Sequence, residues 1–394
     1  MSSTTHIPLI IPGQGVFLFE YNGDKCNMCS FSITNADQTD GLHIEWALDG
    51  VTVVRISSMA PYTDNTNSKG LTVKQGAFYW FSLDAQNQTL YAGVGEARQE
   101  TKVYQYALTY TTDDERKRNK AFLESLTIIG SLQQISPLRL LCNPITKKVP
   151  FHVKHKVSLD AIANGLYMPK THLSGVSQQM YDCVVNCVLD TDDFPDFSKA
   201  VQQSIGNGWC KKRLLEKSSE FSKTGPPNLA ETYLRITLGD NNGNSPGIPY
   251  VMEIWPAGHY SPIHSHANAE AIIKVLHGTI HVTLFPFLGG DAFGSADFDK
   301  EDITWISPYM NQIHQLKNQR ADDVCITIQC YMYDQKNHTH YDYFDYLDET
   351  NKVQQYEPDS DMEFSAFKEL MRLEWENRQP NGMFGCFRAY KIEI

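Results

Sequence analysis

Two histidines separated by one residue, with a third fifty residues later, constrain this chain more than any other feature of its sequence. His264 and His266 lie in the run GHYSPIHSH, and His314 opens the segment HQLKN. Side chains at positions i and i+2 of a strand point to the same side of a sheet, so His264 and His266 can reach one ion. The separation in sequence lets His314 return on a neighbouring strand. The pattern therefore predicts a three-histidine metal site.

The spacing around these histidines resembles the two signature motifs of the cupin superfamily. Gly258 precedes His264 by six positions, Gly278 follows the histidine pair, and Asn318 lies four positions after His314. Much of the surrounding chain has the composition of strands, in residues 250–255, 271–276, 279–285 and 325–333. The resemblance implies a cupin (jelly-roll) β-barrel in the second half of the chain.

Many cupins add a glutamate ligand, and Glu270 is the obvious candidate here. Counted back from Gly278, however, the family's glutamate position falls on Ala271. Residues 271, 273 and 275 form an apolar strand face that suits a barrel core, and Glu270 lies on the other face. Glu270 is therefore expected to point away from the site. The expected ligand set is three neutral imidazoles.

The first third of the chain predicts a separate β-rich module. Short strand-like segments recur between turn-forming clusters of Asn, Gly and Asp, in residues 16–21, 43–48, 51–56, 77–83 and 103–108. Such a density of short strands is typical of a β-sandwich. We assign residues 1–112 to a β-sandwich of unknown role, 113–180 to a connector or to the completion of this first domain, and 181–394 to the cupin domain. The predicted fold class is mainly β.

Helices are expected to flank the barrel. Phe197, Val201 and Ile205 recur at helical spacing and are followed by a Gly-Asn-Gly sequence that ends the pattern. In the same way, Ser360 and Glu363 predict a capping box at the start of a last helix.

Composition limits the compartment and the partners of the chain. The 34 basic and 46 acidic residues give a net charge of −12, which disfavours a surface that tracks nucleic-acid phosphates. No run approaches the roughly 20 apolar residues of a membrane span, and the N-terminus lacks the cationic start of a signal peptide. Nine cysteines without framework spacing fit a reducing compartment. We therefore expect a cytoplasmic protein with no nucleic-acid and no membrane partner.

Further residues resemble those of the cysteine dioxygenases. Tyr233-Leu234-Arg235 precedes the histidine run, residues 274–278 (KVLHG) and 283–285 (TLF) follow it, and Tyr331 lies on a late strand. These elements keep the family's order and approximate spacing over residues 190–350. The resemblance implies a non-haem Fe(II) enzyme that oxidises cysteine, or a related small carboxylate-bearing thiol, to its sulfinic acid with O2.

The chemistry of such an enzyme explains these residue types. Three neutral imidazoles leave Fe(II) its full charge and open positions, and that charge favours a substrate thiolate. By resemblance, Arg235 would clamp the substrate carboxylate, a task that suits its planar fork of donors. Tyr331 would hydrogen-bond near the reacting atoms, and Tyr233 would support the pocket. Thr327 and Gln329 share a strand face with Tyr331 by the period of two.

Three departures from the family leave alternatives open. Ala271 stands where the animal enzymes have a cysteine crosslinked to the tyrosine, and Thr327 and Gln329 replace the serine and histidine of a Ser-His-Tyr chain. An amide can hydrogen-bond Tyr331 but cannot take its proton. The N-terminal module has no counterpart in the single-domain enzymes. One alternative is another metallo-cupin enzyme (a different dioxygenase, an isomerase or a lyase). The other is a non-enzymatic cupin whose N-terminal module binds a protein or carbohydrate partner. Whatever the function, three histidines also suit nickel, zinc or manganese as the bound metal.

Overall fold

The computed structural model describes residues 4–21, 28–35, 41–47, 50–56, 62–64, 78–131, 135–223, 225–238, 250–334 and 343–377. Within these ranges the chain is mainly β and contains an N-terminal sandwich followed by a jelly roll of the cupin type with flanking helices. The predicted fold class is therefore confirmed. Among the described residues, no helix combines the length and apolarity needed to cross a bilayer.

The N-terminal sandwich contains eleven of the described strands and one helix. They are β1 (Thr4–Ile7), β2 (Gln14–Tyr21), β3 (Met28–Thr34), β4 (Gly41–Ala47), β5 (Gly50–Ile56), β6 (Tyr62–Asp64), β7 (Phe78–Asp84), β8 (Thr89–Val94), β9 (Lys102–Ala107), α1 (Asp113–Glu124), β10 (Thr127–Ser131) and β11 (Ile135–Leu141).

Two antiparallel sheets form this sandwich, in the orders β1-β10-β3-β4-β5-β6 and β11-β2-β7-β8-β9. Alternate residues of each sheet face a shared core, as the period of two requires. Phe17, Phe19 and Phe81 on one sheet belong to the same buried cluster as Ile33 and Ile44 on the other. The sandwich therefore has a buried core of its own, and Phe287 of the C-terminal unit packs against that core.

The segment after residue 112 adds a helix and two more strands to the first sandwich. Helix α1 begins with a capping box between Thr112 and Glu115. Strand β10 then pairs with β1 and β3, and β11 pairs with β2. A register shift at Pro137 allows a residue without an N–H group inside β11. Residues of β10 and β11, as far as Leu141, therefore belong to the two sheets of the sandwich.

The C-terminal unit contains the remaining described elements. They are β12 (Val153–Lys154), α2 (Leu159–Ala163), β13 (Met168–Pro169), α3 (Gly175–Val184), α4 (Phe197–Asn207), α5 (Trp209–Glu216), β14 (Leu234–Leu238), β15 (Tyr250–Trp255), β16 (Glu270–His277), β17 (Thr279–Phe285), β18 (Gly294–Asp299), β19 (Ile303–Ile306), β20 (Ile313–Lys317), β21 (Cys325–Met332), β22 (Phe344–Leu347), β23 (Val353–Tyr356), β24 (Met362–Glu363) and α6 (Phe364–Glu376).

Two facing sheets build the jelly roll. One has the order β19-β16-β21-β15-β14-β24, and the other has the order β18-β17-β20. A cluster that includes Trp255, Val275, Leu284 and Leu316 fills the space between them. The outer face of the larger sheet is apolar as well, because helices α3 to α6 cover it.

The last helix departs from the sequence prediction at its start. Helix α6 begins at Phe364, and its N-cap is Glu363, whose side chain accepts a hydrogen bond from the Ser365 N–H. The predicted capping box between Ser360 and Glu363 is therefore wrong. Ser360 Oγ instead accepts a hydrogen bond from the Thr237 N–H at 3.3 Å, which links this turn to β14.

Candidate metal centre and its pocket

The three histidines that the sequence singles out lie together between the two sheets. One ligand nitrogen from each of His264, His266 and His314 falls within 4.8 Å of the others, and all three residues are buried. His264 and His314 exchange both backbone hydrogen bonds, at 3.0 and 3.1 Å. This pairing fixes the third ligand beside the first, although fifty residues separate them.

Two glycines of the cupin-like motifs have backbone conformations that favour glycine. Gly258 has φ +78° and Gly278 has φ +73°. Gly278 is the single residue between β16 and β17, and a Cβ there would lie 2.4 Å from the Val324 carbonyl oxygen. Only glycine, which has no side chain, therefore fits at the point where the chain passes from one sheet to the other.

The hydrogen bonds of the imidazoles fix which nitrogen faces the centre. His264 Nδ1 lies 3.0 Å from the Pro262 carbonyl oxygen, and His314 Nδ1 lies 3.0 Å from that of Asn311. A carbonyl only accepts, so both Nδ1 atoms carry protons and both Nε2 atoms carry lone pairs. Burial lowers the pKa of His264 to about 4 and that of His314 to about 3. Burial also holds the pKa of His266 well below its usual value.

The distances within the cluster fit a bound metal ion. His266 Nε2 and His314 Nε2 lie 3.1 Å apart. Consider two imidazole nitrogens that each lie about 2.1 Å from one ion. If the nitrogen–metal–nitrogen angle is between the octahedral and the tetrahedral value, the two nitrogens are roughly 3.0–3.4 Å apart. The same 3.1 Å also fits an N–H···N hydrogen bond in which His266 Nε2 donates to His314 Nε2, so the metal-free protein can hold the two rings in this arrangement. His264, His266 and His314 would hold the metal.

The neighbouring strands point a row of polar side chains toward the histidines. In the strand register, Arg235 of β14 is opposite Glu253 of β15, and Glu253 is opposite Thr327 of β21. Gln329 and Tyr331 follow on the same face of β21, as the period of two predicts. Arg235, Glu253, Gln329 and Tyr331 all line the pocket that contains the histidines.

Glu253 is the residue of this site that the sequence analysis missed. Its Oε1 accepts a hydrogen bond from Arg235 Nη1 at 2.8 Å, and both side chains are almost fully buried. Burial raises the pKa of the Glu253 carboxyl to about 7, against the lowering effect of Arg235. In the sequence, Glu253 could have been found as the single acidic residue of the otherwise uncharged strand 250–255. Arg235 thus already has a carboxylate partner inside the protein.

A hydrogen-bond chain connects this ion pair to the tyrosine. The Gln329 amide donates to Glu253 Oε2, and its carbonyl oxygen accepts from the Tyr331 hydroxyl. The ring of Tyr331 stacks on His266 with 5.4 Å between ring centroids. Thr327 is engaged elsewhere, because its hydroxyl accepts from Trp255 Nε1 at 3.3 Å. The chain that the structure builds therefore runs from Tyr331 through Gln329 to Glu253.

Tyr233 belongs to the wall of the pocket. It is buried, and its ring stacks on that of Trp255 with centroids 4.2 Å apart. Burial, and then the nearby Glu253 carboxylate, raise its pKa. The phenol therefore stays neutral at physiological pH and supports the pocket through packing.

Glu270 and Ala271 occupy opposite faces of β16. The Glu270 carboxylate accepts hydrogen bonds from the Ser174 and Ser177 hydroxyls at the start of α3, on the helix-covered side of the sheet. Ala271 faces the interior and is directly opposite Tyr331 in the register. The structure thus places Glu270 away from the histidines, and it places Ala271 at the tyrosine, where the animal cysteine dioxygenases would have their crosslinking cysteine.

The pocket in front of the histidines is small. Its cavity measures about 10 Å³, which is room for about one water molecule. The Phe344 ring lies 5.7 Å from the His264 ring and 5.4 Å from the His266 ring, measured between centroids. Any organic ligand must therefore displace side chains such as Phe344 to reach the three nitrogens.

Comparison with known proteins gives partial matches to cupin folds. No protein-family model matches the sequence. The cupin domain of Cnp3 from Schizosaccharomyces pombe is 15% identical over 26% of this chain and 65% of its own, with a TM-score of 0.21. An oxalate oxidase in complex with glycolate is 18% identical over 29% of this chain and 57% of its own, with a TM-score of 0.22. A sugar phosphate isomerase of the cupin superfamily from Silicibacter pomeroyi is 14% identical over 33% and 81%, with a TM-score of 0.23. The chain spans less than two thirds of the first two structures.

The C-terminal unit is a jelly roll of the cupin type with a candidate metal centre of three histidines. Because the matches are partial and their TM-scores are low, this assignment rests on features of the chain itself. Those features are the two facing sheets, the motif glycines and the geometry of the histidine cluster.

Proposed function

We propose that this protein is a non-haem Fe(II) thiol dioxygenase that converts a small thiol and O2 into the corresponding sulfinic acid. The observation that carries the proposal is the composition of the pocket. Three neutral histidines without a carboxylate ligand face a tyrosine hydroxyl and an arginine in one enclosed space. Bound Fe(II) would supply the redox chemistry with O2 and a charge that favours the thiolate form of the substrate.

The residues around the histidines would bind and orient the substrate. Arg235 is the one guanidinium among the described residues that line the pocket, and it suits a substrate carboxylate. Tyr331 lies against His266 and would hydrogen-bond beside the sulfur, with Gln329 fixing the direction of its hydroxyl. Phe344 and Tyr233 would exclude water from the reacting atoms, which strengthens each of these interactions.

The Arg235–Glu253 ion pair bears on which thiol is preferred. A substrate carboxylate at Arg235 would lie near the Glu253 carboxylate and would be repelled by it while Glu253 is ionised. A thiol that carries an amine and no carboxylate would instead find an acceptor in Glu253. We propose cysteine or a related carboxylate-bearing thiol as substrate, with cysteamine as the comparison that tests the influence of Glu253.

Oxygen consumption by the iron-loaded protein tests the proposal. The protein is loaded with Fe(II) under anaerobic conditions and offered L-cysteine, 3-mercaptopropionate and cysteamine in turn, and the sulfinate product is measured by mass spectrometry. We expect thiol-dependent oxygen uptake that His264→Ala abolishes. The matched control is His259→Ala, because His259 Nδ1 donates to the Thr232 carbonyl oxygen and is not among the clustered ligands. Iron-loaded protein that consumes no oxygen with any of the three thiols would overturn the proposal.

A second candidate is another metallo-cupin enzyme, and Glu253 is the observation that favours it. A buried carboxyl that burial brings to a pKa of about 7 suits proton transfer near neutral pH. Such a group fits an isomerase or a lyase, which moves protons without consuming O2. Turnover of a non-thiol substrate by protein loaded with a redox-inert metal, lost in Glu253→Gln, would favour this candidate.

A further inference from the structure

A buried cluster of charged residues lies at the edge of the N-terminal sandwich, in the turn after β8. Arg98 is fully buried and bonds Glu96 Oε2 through Nη1 and Glu100 Oε2 through Nε, both at 3.1 Å. Its Nη2 donates to the Val149 carbonyl oxygen at 2.8 Å. A guanidinium removed from water needs acceptors for its donors, and this one has them on three sides.

The same cluster extends across to the jelly roll. Arg98 Nη1 also donates to Asn311 Oδ1 at 2.9 Å, and Glu96 Oε1 accepts from the Gln312 N–H at 3.1 Å. The two units approach closely here, because a Cβ on Gly95 would lie 2.4 Å from the Pro286 carbonyl oxygen. Residues more than two hundred positions apart in sequence therefore share one buried hydrogen-bond network.

Asn311 and Gln312 are also the residues that hold two of the histidines. The Asn311 carbonyl oxygen accepts from His314 Nδ1 at 3.0 Å, and Gln312 Oε1 accepts from the His266 N–H at 3.3 Å. Asn311 has φ +60°, in the left-handed region that asparagine adopts more readily than most non-glycine residues. The side chains of Glu96 and Arg98 thus fix the two-residue turn from which His314 is oriented and His266 is supported.

We propose that Glu96 and Arg98 are positioning residues of the metal centre, so that the N-terminal sandwich completes the outer hydrogen-bond shell of His266 and His314. Outer-shell partners set the ring orientation and basicity of a ligand, and their loss typically costs about 10–100-fold in metal affinity. Glu96 and Arg98 act one layer further out, through Asn311 and Gln312. We therefore expect about a 3–10-fold loss. The proposal depends on metal binding at the histidines and does not depend on thiol oxidation.

The test measures Co²⁺ binding to the full-length protein rather than turnover. Co²⁺ titrations, followed by calorimetry and by the visible absorption bands of the ion, are compared for wild type, Arg98→Lys and Glu96→Gln. We expect weaker binding in both variants and a changed absorption spectrum at saturation, because the imidazoles change orientation. The matched control is Leu90→Ala, which removes a buried side chain from the sandwich core. It should lower Tm and leave the Co²⁺ spectrum unchanged.

A double-mutant cycle distinguishes positioning from general stabilisation of the fold. Asn311→Gly removes the side chain that accepts from Arg98 and donates to the Trp305 carbonyl oxygen. Glycine suits the positive φ, and the backbone carbonyl that orients His314 remains. If Arg98 acts through Asn311, the effects of Arg98→Lys and Asn311→Gly on Co²⁺ affinity are non-additive. Should Arg98→Lys fail to fold, weaker Co²⁺ binding and an altered spectrum in Asn311→Gly support the proposal. Additive effects, wild-type Co²⁺ binding by the folded variants, or a wild-type protein that binds no Co²⁺ would each overturn it.

Discussion

Under the proposed thiol oxidation, replacing Glu253 with glutamine should change which thiols the protein prefers. In the wild type, Glu253 Oε1 lies 2.8 Å from Arg235 Nη1, so a substrate carboxylate must share that guanidinium with a second anion. The glutamine keeps the size and a hydrogen-bond acceptor but removes the charge. The kcat/KM for carboxylate-bearing thiols should therefore rise relative to that for cysteamine when Glu253 is replaced.

The size of this change follows from the electrostatics of the pocket. Two carboxylates that flank one guanidinium are separated by about 5 Å, and at an effective dielectric constant of about 20 they repel by about 3 kcal/mol. A difference of about 1.4 kcal/mol is a tenfold change in an equilibrium constant, so the full repulsion corresponds to about 100-fold. Relaxation of the substrate away from Glu253 reduces the effect. We expect the ratio of kcat/KM for 3-mercaptopropionate to that for cysteamine to rise by about 10–100-fold in Glu253→Gln.

The pH dependence of the same ratio gives a second readout. Burial raises the pKa of the Glu253 carboxyl to about 7, so this group is mainly ionised above pH 7 and mainly neutral below it. The carboxylate of 3-mercaptopropionate stays ionised throughout this range. In the wild type the ratio should therefore rise as the pH falls from about 8.5 to 6, whereas in Glu253→Gln it should stay flat.

Oxygen-uptake kinetics across this pH range check both expectations. The matched control is Glu270→Gln, because Glu270 is also a buried strand carboxylate, but it bonds Ser174 and Ser177 on the helix-covered face of the sheet. This control should leave the ratio at its wild-type value. An unchanged ratio in Glu253→Gln, with the same pH trend as the wild type, would refute the reasoning about the ion pair.

Three further predictions concern the histidines and the tyrosine. His264→Ala should weaken Co²⁺ binding by more than about 100-fold in calorimetric titrations, since it removes a direct ligand; wild-type affinity in this variant would contradict the metal site. The metal-free protein should lose stability as the pH falls from 6.5 toward 4, because burial lowers the pKa of His264 to about 4 while an unfolded histidine already binds protons. Each such histidine lowers the free energy of unfolding by up to about 1.4 kcal/mol per pH unit, which urea unfolding can measure. A free energy of unfolding that does not change over this pH range would contradict the prediction. Tyr331→Phe should lower kcat for oxygen uptake by about 10-fold or more and leave Co²⁺ affinity unchanged, and a variant with wild-type kcat would remove Tyr331 from the mechanism.

The parts of the fold that follow from local pattern could be predicted from the sequence. The period of two identified β15 and β17 with the bounds that the structure has. It also separated Glu270 from the inward face of β16, because one side of that strand is wholly apolar. The motif spacing brought His264 and His314 together without any knowledge of the sheets.

The partners of these residues could not be predicted, because they depend on which strands become neighbours. Glu253 meets Arg235 only through the antiparallel register of β14 and β15, and nothing in either segment specifies that register alone. Arg98 and Asn311 are still further apart in sequence and lie in different units. The failed capping box has a similar cause, since Ser360 is engaged by the backbone of β14. Tertiary contacts thus determined the features that local pattern left open.

The direction of the hydrogen bonds in the pocket gives Glu253 an influence on Tyr331. While Glu253 is ionised it can only accept, so the Gln329 amide must donate to it and must turn its carbonyl oxygen toward Tyr331. The Tyr331 hydroxyl then donates to Gln329 and presents only lone pairs to the histidines. A protonated Glu253 can donate to Gln329, which lets the amide reverse and frees the tyrosine proton for the substrate. Gln329 cannot take a proton itself, but it can transmit the protonation state of Glu253 to the hydroxyl beside His266. A histidine at position 329 could do this by accepting the proton, whereas the glutamine present would do it by turning its amide.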